Sequence, residues 1–394
     1  MKASIKNFLL LIFTVAVLFV IGEFVVRGIE FFVPFASDEL PRPNSNYRAD
    51  IETHPVLNHV HKPGLKFVHI ARDGKEFRNE QQYNSKGLND DEYEYDKTSD
   101  KSRIIILGDS FVDGVEVGRA DNFCDVIEKK LSERKLSKKY EVINMGVSGY
   151  SPILEYLYLK KEGLKYNPDI VILCFFMNDV YEDSFYNGMA TFDNNGLPTA
   201  VHFKGPPKIE KLKGWKRAER KFCNTVKGAI NKSRFYVSLK KRLYVLLKKT
   251  GLKKSDPEAN QFFILSGEPK AGEEVLWEDT FRYILGMKQL AGPQGAKFLL
   301  VIIPTEAQIE GTAMGSASKF YFKEKPDSKK VEDRLSQFCA KNKIDCVNLK
   351  DEFEKLPIEE RNLYFPRDSH FNEKGHRETA SIILEKLDSL EWIN

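Results

Sequence analysis

The chain has 394 residues, of which 42% are hydrophobic, 12% aromatic and 30% charged. This composition excludes a disordered tail, a collagen-like chain and a membrane protein with many spans. The 61 Lys and Arg against 57 Asp and Glu leave a formal charge of +4, too balanced overall for a nucleic-acid-binding protein. Five cysteines without a CxxC pair are too few for a disulfide scaffold or a zinc ribbon. Without a Walker A sequence or a GxGxxG after a strand, the sequence predicts no cofactor and no metal.

The N-terminal region has the pattern of a membrane anchor. Residues 8–22 carry no charge and follow two lysines. Counted from 5 to 26, the stretch reaches the ~20 residues that a spanning helix needs, if Glu23 lies at the outer interface. Residues 23–27 lack the pattern of small side chains at a signal-peptide cleavage site. We therefore favour a cytoplasmic tip and an uncleaved transmembrane helix in residues 1–33, with the rest of the chain in the periplasm, over a cleaved signal peptide or a buried core helix.

Beyond the anchor, the chain divides into a lead segment and an alternation of strands and helices. Residues 34–100 are rich in Pro, Asn, Asp and His, and we expect this lead segment to pack on the main domain. From residue 101, short apolar stretches typical of buried strands alternate with amphipathic helical patterns. The predicted strands are 104–107, 140–144, 169–176, 297–303 and 346–349, and the predicted helices are 122–135, 153–165, 329–341 and 372–387. This alternation predicts an α/β fold with a parallel sheet covered by helices on both faces.

An insertion separates the two halves of this domain, 101–180 and 291–394. It covers residues 181–290, and we expect it to be mostly helical. Within it, residues 204–254 hold 18 Lys and Arg against 2 Asp and Glu, so the positive charge is concentrated in one basic segment. Outside a membrane, such a segment would contact anionic head groups or an anionic polymer, and a solvated helical insertion is the simpler alternative. Its aromatic residues are too sparse to favour nucleic acid.

Three loops that follow predicted strands carry residues suited to acyl transfer. In IIILGDSF, 104–111, Ser110 lies just past a buried strand and opens a helix, which exposes its hydroxyl and places its N–H near the positive helix end. In NMGVSGYS, 144–151, Gly146 follows the next strand and lets a substrate approach its N–H. In FFMND, Asn178 follows a third strand and can direct its amide at the same oxyanion. Together these loops predict a serine nucleophile with an oxyanion hole.

A fourth loop, YFPRDSHFNEKGH at 364–376, supplies a base. His370 can take the proton of Ser110, and Asp368 can hold the tautomer of His370 and stabilise its imidazolium. The four loops should converge on one edge of the sheet, where open α/β sheets bind their ligands. Each residue also has a structural explanation, as a helix cap, a tight turn or an Asx turn. The order of all four behind the right elements favours a catalytic site.

These four motifs, in this order, resemble blocks I, II, III and V of the SGNH (GDSL-type) serine hydrolase superfamily. The matching positions are Gly108-Asp109-Ser110, Gly146, Asn178 and His370, within about residues 103–387. The resemblance implies a flavodoxin-like, three-layer α/β/α fold and metal-free chemistry on acyl esters. In that family pattern Ser110 is the nucleophile and His370 the base, and the N–H groups of Ser110 and Gly146 form the oxyanion hole with Asn178.

One departure from the family pattern concerns the acid of the triad. Many GDSL esterases have D-x-x-H, whereas this chain has D-x-H through Asp368, Ser369 and His370. This spacing is similar to that of bacterial exopolysaccharide O-acetyltransferases. The departure therefore favours an acyltransferase over an ester hydrolase, but it does not decide between them.

One leading function and two alternatives follow. We expect a membrane-anchored extracytoplasmic serine esterase that hydrolyses an acyl ester of an envelope glycan, a lipid or a small molecule through a Ser110 acyl-enzyme. An O-acyltransferase of the same fold would instead move the acyl group, such as acetyl, onto a cell-envelope polysaccharide, with a membrane partner as acyl donor. An inactive scaffold that binds polysaccharide through the basic segment would not need Ser110, Asn178 or His370. No loop has the signature of a particular substrate.

Three further features of the sequence have mainly structural explanations. His59 and His61 alternate as neighbours on a strand would, but no matched carboxylate or cysteine completes a metal site. His376, on the last predicted helix, is expected to be structural. Cys339 ends a predicted helix and Cys346 begins the next strand, so a disulfide and two separate thiols both stay open.

Overall fold

The structure, a computed structural model, describes four long stretches of the chain and a few N-terminal residues: 50–71, 74–203, 272–310 and 329–394, with Thr14, Val17 and 21–24. The chain forms two compact units, one of Met1–Asn46 with Gly205–Asp256 and the other of Tyr47–Lys204 with Pro257–Asn394. All strands and helices with described bounds lie in the second unit.

The second unit contains eleven strands and nine α-helices within the described stretches. The strands are β1 (Ile51–His54), β2 (Asn58–His61), β3 (Lys66–Ile70), β4 (Arg78–Gln82), β5 (Lys101–Gly108), β6 (Lys139–Gly146), β7 (Ile170–Phe176), β8 (Ala190–Phe192), β9 (Pro198–Val201), β10 (Lys297–Ile303) and β11 (Asp345–Asn348). The helices are α1 (Ser110–Asp113), α2 (Phe123–Ser132), α3 (Pro152–Lys161), α4 (Asp179–Asn187), α5 (Glu273–Ala291), α6 (Glu306–Ile309), α7 (Lys330–Asn342), α8 (Leu349–Phe353) and α9 (Glu373–Ser389).

Five of the strands form one parallel sheet in the order β11-β10-β7-β5-β6. From β6 to β11 these are the second, first, third, fourth and fifth strands along the chain, which is the doubly wound order of flavodoxin-like folds. The strands are apolar and β-branched because both faces of the sheet are covered, and Ile104, Ile105 and Ile106 are completely buried. The parallel sheet with surrounding helices that the sequence predicts is confirmed.

Strand side chains alternate between two apolar layers, one on each face of the sheet. Ile105 and Leu107 belong to the layer that contains side chains of α3, α5 and α7. Ile104 and Ile106 belong to the other layer, which contains side chains of α2, α8 and α9. Each large apolar side chain buried in this way contributes about 1.5–3 kcal/mol, so the two layers together hold the sheet between its helices.

The strand order also explains where a site can form. β5 has β6 on one side and β7 on the other, so the chain leaves β5 and β7 toward opposite faces of the sheet. A crevice opens between the carboxyl ends of two such strands, and ligands bind there in doubly wound folds. Ser110 follows β5 and Asn178 follows β7.

The described part of the lead segment, 50–71 and 74–100, packs on the loops at this edge. On β2, His59 Nε2 lies 3.2 Å from the Ser148 carbonyl oxygen, and the Tyr150 hydroxyl donates to the His59 carbonyl at 2.7 Å. His61 Nε2 lies 3.3 Å from Asp113 Oδ2. The two histidines therefore connect the lead segment to the loops after β5 and β6.

Two predicted regions lie largely outside the described residues. The basic segment, 204–254, is one of them, whereas the two ends of the predicted insertion, 181–203 and 272–290, belong to the second unit. The predicted anchor at 5–26 is the other, apart from a few residues. Among the described residues, no helix is both long enough and apolar enough to cross a membrane.

The two cysteines near β11 are free thiols in this structure. Cys339 is buried at the end of α7 and Cys346 is half-buried on β11. They form a hydrogen bond that lowers the pKa of Cys346, with burial opposing, and raises the pKa of Cys339. The chain thus brings the two sulfur atoms together, as the sequence allows, without the disulfide.

Candidate active site

Ser110 stands at the carboxyl end of the central strand β5. The strand ends at Gly108, and Asp109 caps α1 by accepting a hydrogen bond from the Phe111 N–H at 2.9 Å. The helix lasts only four residues before Gly114 ends it in the left-handed region, at φ +60. This sharp turn from strand to helix leaves the Ser110 side chain half-buried at the edge of the sheet.

Three of the predicted residues meet in one hydrogen-bonded chain. Ser110 Oγ lies 2.8 Å from His370 Nε2, and His370 Nδ1 lies 2.5 Å from Asp368 Oδ1. A carboxylate only accepts, so in the neutral ring Nδ1 carries the proton and Nε2 accepts from the Ser110 hydroxyl. Hydroxyl, imidazole and carboxylate in this order are what nucleophilic acyl transfer requires.

A left-handed residue explains how the D-x-H spacing reaches this geometry. Ser369 has a φ of +68, which turns the chain back between Asp368 and His370. Its N–H donates to the Phe365 carbonyl at 2.8 Å, and its hydroxyl donates to Glu306 Oε2 at 2.6 Å. Because both groups of Ser369 are bonded, the surroundings hold a backbone conformation that is unfavourable on its own.

The surroundings of His370 favour its positively charged form. Burial lowers the pKa of the imidazole, but the charge of Glu116, followed by the hydrogen bond and charge of Asp368, outweighs burial. Asp109 acts in the same direction, and together these groups raise the pKa of His370 to about 9. The imidazolium that forms when the ring takes a proton is therefore stabilised.

His376, on the first turns of α9, has the opposite surroundings. Its Nδ1 accepts a hydrogen bond from the Phe123 N–H at 3.2 Å, and its ring packs against Phe123 and Phe371. Burial, and then the charge of His370, lower the pKa of His376 to about 3. His376 is therefore a neutral histidine in the core, which agrees with the structural role expected from the sequence.

The N–H of Gly146 is not free to bind an oxyanion, contrary to the prediction. Gly146 is the last residue of β6, and its N–H donates to Asn144 Oδ1 at 2.9 Å. Packing, rather than the approach of a substrate, explains why this residue is a glycine. A Cβ here would lie 2.2 Å from the Asp113 nitrogen and 2.6 Å from the Val112 carbonyl carbon. The glycine is required because β6 packs directly against the backbone of α1.

Gly149, three residues further on, has an N–H without an acceptor among the described residues. A turn closed by the Tyr150 N–H and the Val147 carbonyl, 2.9 Å apart, places Gly149 at φ +80, which favours glycine. Its carbonyl accepts from the Tyr186 hydroxyl at 2.7 Å, but its N–H has no acceptor within the described stretches. The signal for Gly149 in the sequence is the V-S-G-Y turn, which needs a left-handed residue.

Asn178 lies at the carboxyl end of β7, as predicted. Its Nδ2 donates to Glu182 Oε1 at 3.1 Å. The amide has a second hydrogen, which no group in the described part of the chain accepts, so this hydrogen is available to a substrate oxygen. Burial, and then the charge of Asp109, raise the pKa of Glu182 to about 8. Glu182 thus orients the Asn178 amide from the first turn of α4.

Asp109, which precedes Ser110, is buried together with two other carboxyl groups whose charges interact with it. Asp109, Glu155 and Asp179 are each 3% exposed or less. Phe176 donates its N–H to Asp179, whereas neither oxygen of Glu155 has a hydrogen-bond partner among the described residues. Burial raises the pKa of all three groups, and the charges of neighbouring carboxylates add to this for Glu155 and Asp179.

One group of side chains has the spacing of a metal site. Among the described residues, Glu116, Asp368 and His370 place ligand atoms within 4.8 Å of one another. Both ring nitrogens of His370 are already bonded, one to Ser110 and the other to Asp368. A metal ion could bind these three residues only by breaking that chain.

No protein-family model matches the chain, and no curated protein matches its sequence. Solved structures that resemble it include the acetyl xylan esterase AlAXEase, at a TM-score of 0.40 and 13% identity over 72% of this chain and 98% of the other. TesA resembles it at a TM-score of 0.38 and 12% identity, over 73% and 99% of the two chains. The lipase/acylhydrolase from Enterococcus faecalis does so at a TM-score of 0.39 and 11% identity, over 74% and 97%. Similarities of this size do not assign an activity.

Proposed function

We propose that this protein is a serine ester hydrolase of the SGNH (GDSL) type, which forms an acyl-enzyme on Ser110. The observation that supports this function is the chain from Ser110 Oγ to His370 at 2.8 Å and from His370 to Asp368 at 2.5 Å. This chain lies at the carboxyl edge of a doubly wound parallel sheet, where ligands bind in such folds.

In the first step, Ser110 Oγ attacks the acyl carbon while its proton moves to His370 Nε2. The imidazolium is stabilised by Asp368, which accepts the hydrogen bond from Nδ1. His370 then gives the proton to the leaving alkoxide, and the acyl group stays on Ser110. The bond between the acyl carbon and the alcohol oxygen breaks, and the new ester bond to Ser110 Oγ remains. The step therefore needs no other reactant.

The oxyanion of this step needs donors that are free beforehand. We infer that these donors are the N–H groups of Ser110 and Gly149 with the second amide hydrogen of Asn178, because none of the three has an acceptor in the described stretches. Gly149 replaces Gly146 in this role. Donors fixed in advance cost no reorganisation when the charge develops.

In the second step, His370 takes a proton from water, and the hydroxide attacks the acyl carbon on Ser110. The carboxylic acid leaves, and the serine recovers its proton from the imidazolium. The raised pKa of His370 means that the ring is a strong base but is mostly protonated at neutral pH. We therefore expect activity to rise toward alkaline pH.

The proposal includes a place and a substrate class. We place the enzyme on the periplasmic face of the inner membrane, held by the anchor in residues 1–33. An anchor would raise the local concentration of acyl groups on envelope glycans or lipids. The basic segment, 204–254, would contact the anionic groups of such substrates. Support for both segments comes from the sequence alone.

An O-acyltransferase is the second candidate, favoured by the D-x-H loop around Ser369. The acyl-enzyme on Ser110 would be the same, but a hydroxyl of an envelope polysaccharide would replace water in the second step. A membrane partner would then supply the acyl donor. The two candidates differ only in which hydroxyl reaches the acyl carbon.

Turnover by the full-length protein in detergent tests both candidates. We expect hydrolysis of p-nitrophenyl acetate, and mass spectrometry after a short reaction should find the acetyl group on the peptide that contains Ser110. Adding an envelope polysaccharide then separates the candidates, since a transferase acetylates the glycan while an esterase releases acetate at an unchanged rate. Absence of any acyl group on Ser110 would contradict both.

A further inference from the structure

A second carboxylate lies beside the base of the triad. Glu116, just after α1, is 5% exposed, and its Oε1 lies 3.8 Å from His370 Nδ1, the nitrogen that Asp368 contacts. The same oxygen lies 3.5 Å from His69 Nε2 on β3. The other oxygen, Oε2, is buried and has no hydrogen-bond partner among the described residues. A buried carboxylate with so few hydrogen bonds is costly unless a positive charge faces it.

The backbone around Glu116 is held by one strand of the lead segment. The Gln81 amide on β4 donates to the Val115 carbonyl at 3.0 Å and to the Val117 carbonyl at 2.7 Å. The Asn79 amide, also on β4, donates to the carbonyl of Glu116 itself. Three consecutive carbonyls are therefore fixed, so the loop keeps the Glu116 carboxylate beside the imidazole.

We propose that Glu116 is a positioning residue that shares with Asp368 the stabilisation of the His370 imidazolium. This inference rests on the proposed function, in which that imidazolium forms when Ser110 gives up its proton. At 3.8 Å Glu116 does not form a hydrogen bond with Nδ1. It acts through its negative charge, which solvent screens only weakly because the Glu116 side chain is buried. Asp368 fixes the tautomer, and Glu116 adds a second charge.

Other ionisable groups face these side chains from the elements around them. Asp109 precedes α1 and raises the pKa of His370 as well, whereas the charge of His370 acts on His376 of α9. His69 faces Glu116 from the side away from His370. A protonated His69 would offset part of the Glu116 charge, so each measurement is repeated in a His69→Gln background.

The titration of His370 tests the inference without requiring turnover. In the full-length protein with isotope-labelled histidine, the His370 ring signals are identified by their loss in His370→Gln and followed by NMR against pH. Glu116→Gln removes the charge and keeps the shape, and the His370 midpoint should fall by about one pH unit or more. The control is Glu80→Gln on β4, which removes an exposed carboxylate and should leave the midpoint of the His370 titration unchanged. An unmoved midpoint in Glu116→Gln would overturn the proposal.

Ester hydrolysis gives a second readout. Since only neutral His370 accepts the serine proton, the acid limb of the kcat/KM profile follows its pKa, and Glu116→Gln should move that limb to lower pH. A merely structural defect would lower the rate without moving the limb. In an Asp368→Asn background, Glu116→Gln should lower kcat/KM by a larger factor than it does in the wild type. The reason is that Glu116 is then the remaining carboxylate beside the imidazolium. Equal factors in both backgrounds would also overturn the proposal.

The two measurements separate this inference from the proposed function. A shifted His370 midpoint in a protein that hydrolyses no ester would reject the proposed function and leave the charge of Glu116 acting on the imidazole. Ester hydrolysis that requires Ser110, with an unshifted midpoint in Glu116→Gln, would keep the proposed function and reject the role of Glu116.

Discussion

Two groups of ionisable side chains lie at the carboxyl edge of the sheet, and they differ in whether opposite charges face each other. In the first group, the imidazole of His370 lies against the carboxylates of Asp368 and Glu116, at 2.5 and 3.8 Å. In the second group, Glu155 and Asp179 are buried with other carboxyl groups, and the pKa of each is raised by burial and then by neighbouring negative charges.

The comparison shows that burial alone does not make a group catalytic. Burial disfavours charge in both groups, but the pKa of His370 is nevertheless raised, because two carboxylates outweigh burial there. For Glu155 and Asp179 burial and the neighbouring carboxylate charges act in the same direction, so the pKa of each is raised well above its usual value. We therefore expect the second group to lower stability at the pH values where its carboxyl groups ionise.

The largest expected effect is the loss of turnover when the first group is broken. Ser110→Ala and His370→Ala should each lower kcat for a short activated ester by about 10³-fold or more, because the acyl-enzyme cannot form or its proton has no acceptor. Asp368→Asn should lower kcat less, since Glu116 still faces the ring. Steady-state kinetics on the full-length variants measures the three factors.

Ser148→Ala is the matched control for the serine variant. The Ser148 hydroxyl donates to Asp113 Oδ2 at 2.9 Å, and His61 contacts the same oxygen, so a serine, a carboxylate and a histidine meet here as well. These three side chains are buried, and the Ser148 hydroxyl donates its hydrogen bond to the carboxylate rather than to the imidazole. We expect less than about tenfold loss in Ser148→Ala. Comparable losses in Ser110→Ala and Ser148→Ala would contradict the assignment of Ser110.

The second prediction separates the two glycines of the loop after β6. Gly149→Ala has room, since the nearest atoms to a Cβ lie 4.0 Å away, but the left-handed φ of +80 costs about 1–2 kcal/mol and shifts the N–H. We expect a folded protein whose kcat falls by roughly 10²-fold, the usual effect of losing an oxyanion donor. Gly146→Ala should instead lower the melting temperature, because its Cβ meets backbone atoms. A folded Gly146→Ala without activity, together with a fully active Gly149→Ala, would restore Gly146 as the donor.

How far the sequence predicts this site depends on how local the signal is. The strands, Ser110 and His370 follow from apolar stretches and short motifs, because both residues sit directly beside the element that positions them. Glu116 carries no such signal, since its place beside His370 depends on hydrogen bonds from a distant strand, through Gln81. Gly146 and Gly149 lie in one motif, and only the backbone conformation tells which N–H is free.

The third prediction concerns His376, a buried histidine that no carboxylate contacts within the described stretches. Its pKa is lowered to about 3 in the folded protein, so the unfolded chain binds a proton first as the pH falls. Its contribution to stability is complete above about pH 6.5 and is lost progressively below it, by roughly 2–3 kcal/mol at about pH 4.5. Urea unfolding should find His376→Gln less stable than the wild type at neutral pH. The difference in unfolding free energy between the two proteins should become smaller as the pH falls. Exposed His202→Gln is the control for replacing a histidine at the surface.

The smallest expected effect comes from the second group, through Glu155→Gln. The pKa of Glu155 is raised well above its usual value in the folded protein, so the folded state holds a proton that the unfolded chain releases. The wild type therefore loses stability as the pH rises above about 4.5, while a glutamine of the same shape does not. We expect Glu155→Gln to be more stable than the wild type by about 1–2 kcal/mol at about pH 8, with no gain near pH 4. Exposed Glu133→Gln on the end of α2 is the control for replacing a glutamate at the surface. A destabilised Glu155→Gln at alkaline pH would mean that a positive charge faces Glu155, and the contrast between the two groups would fail.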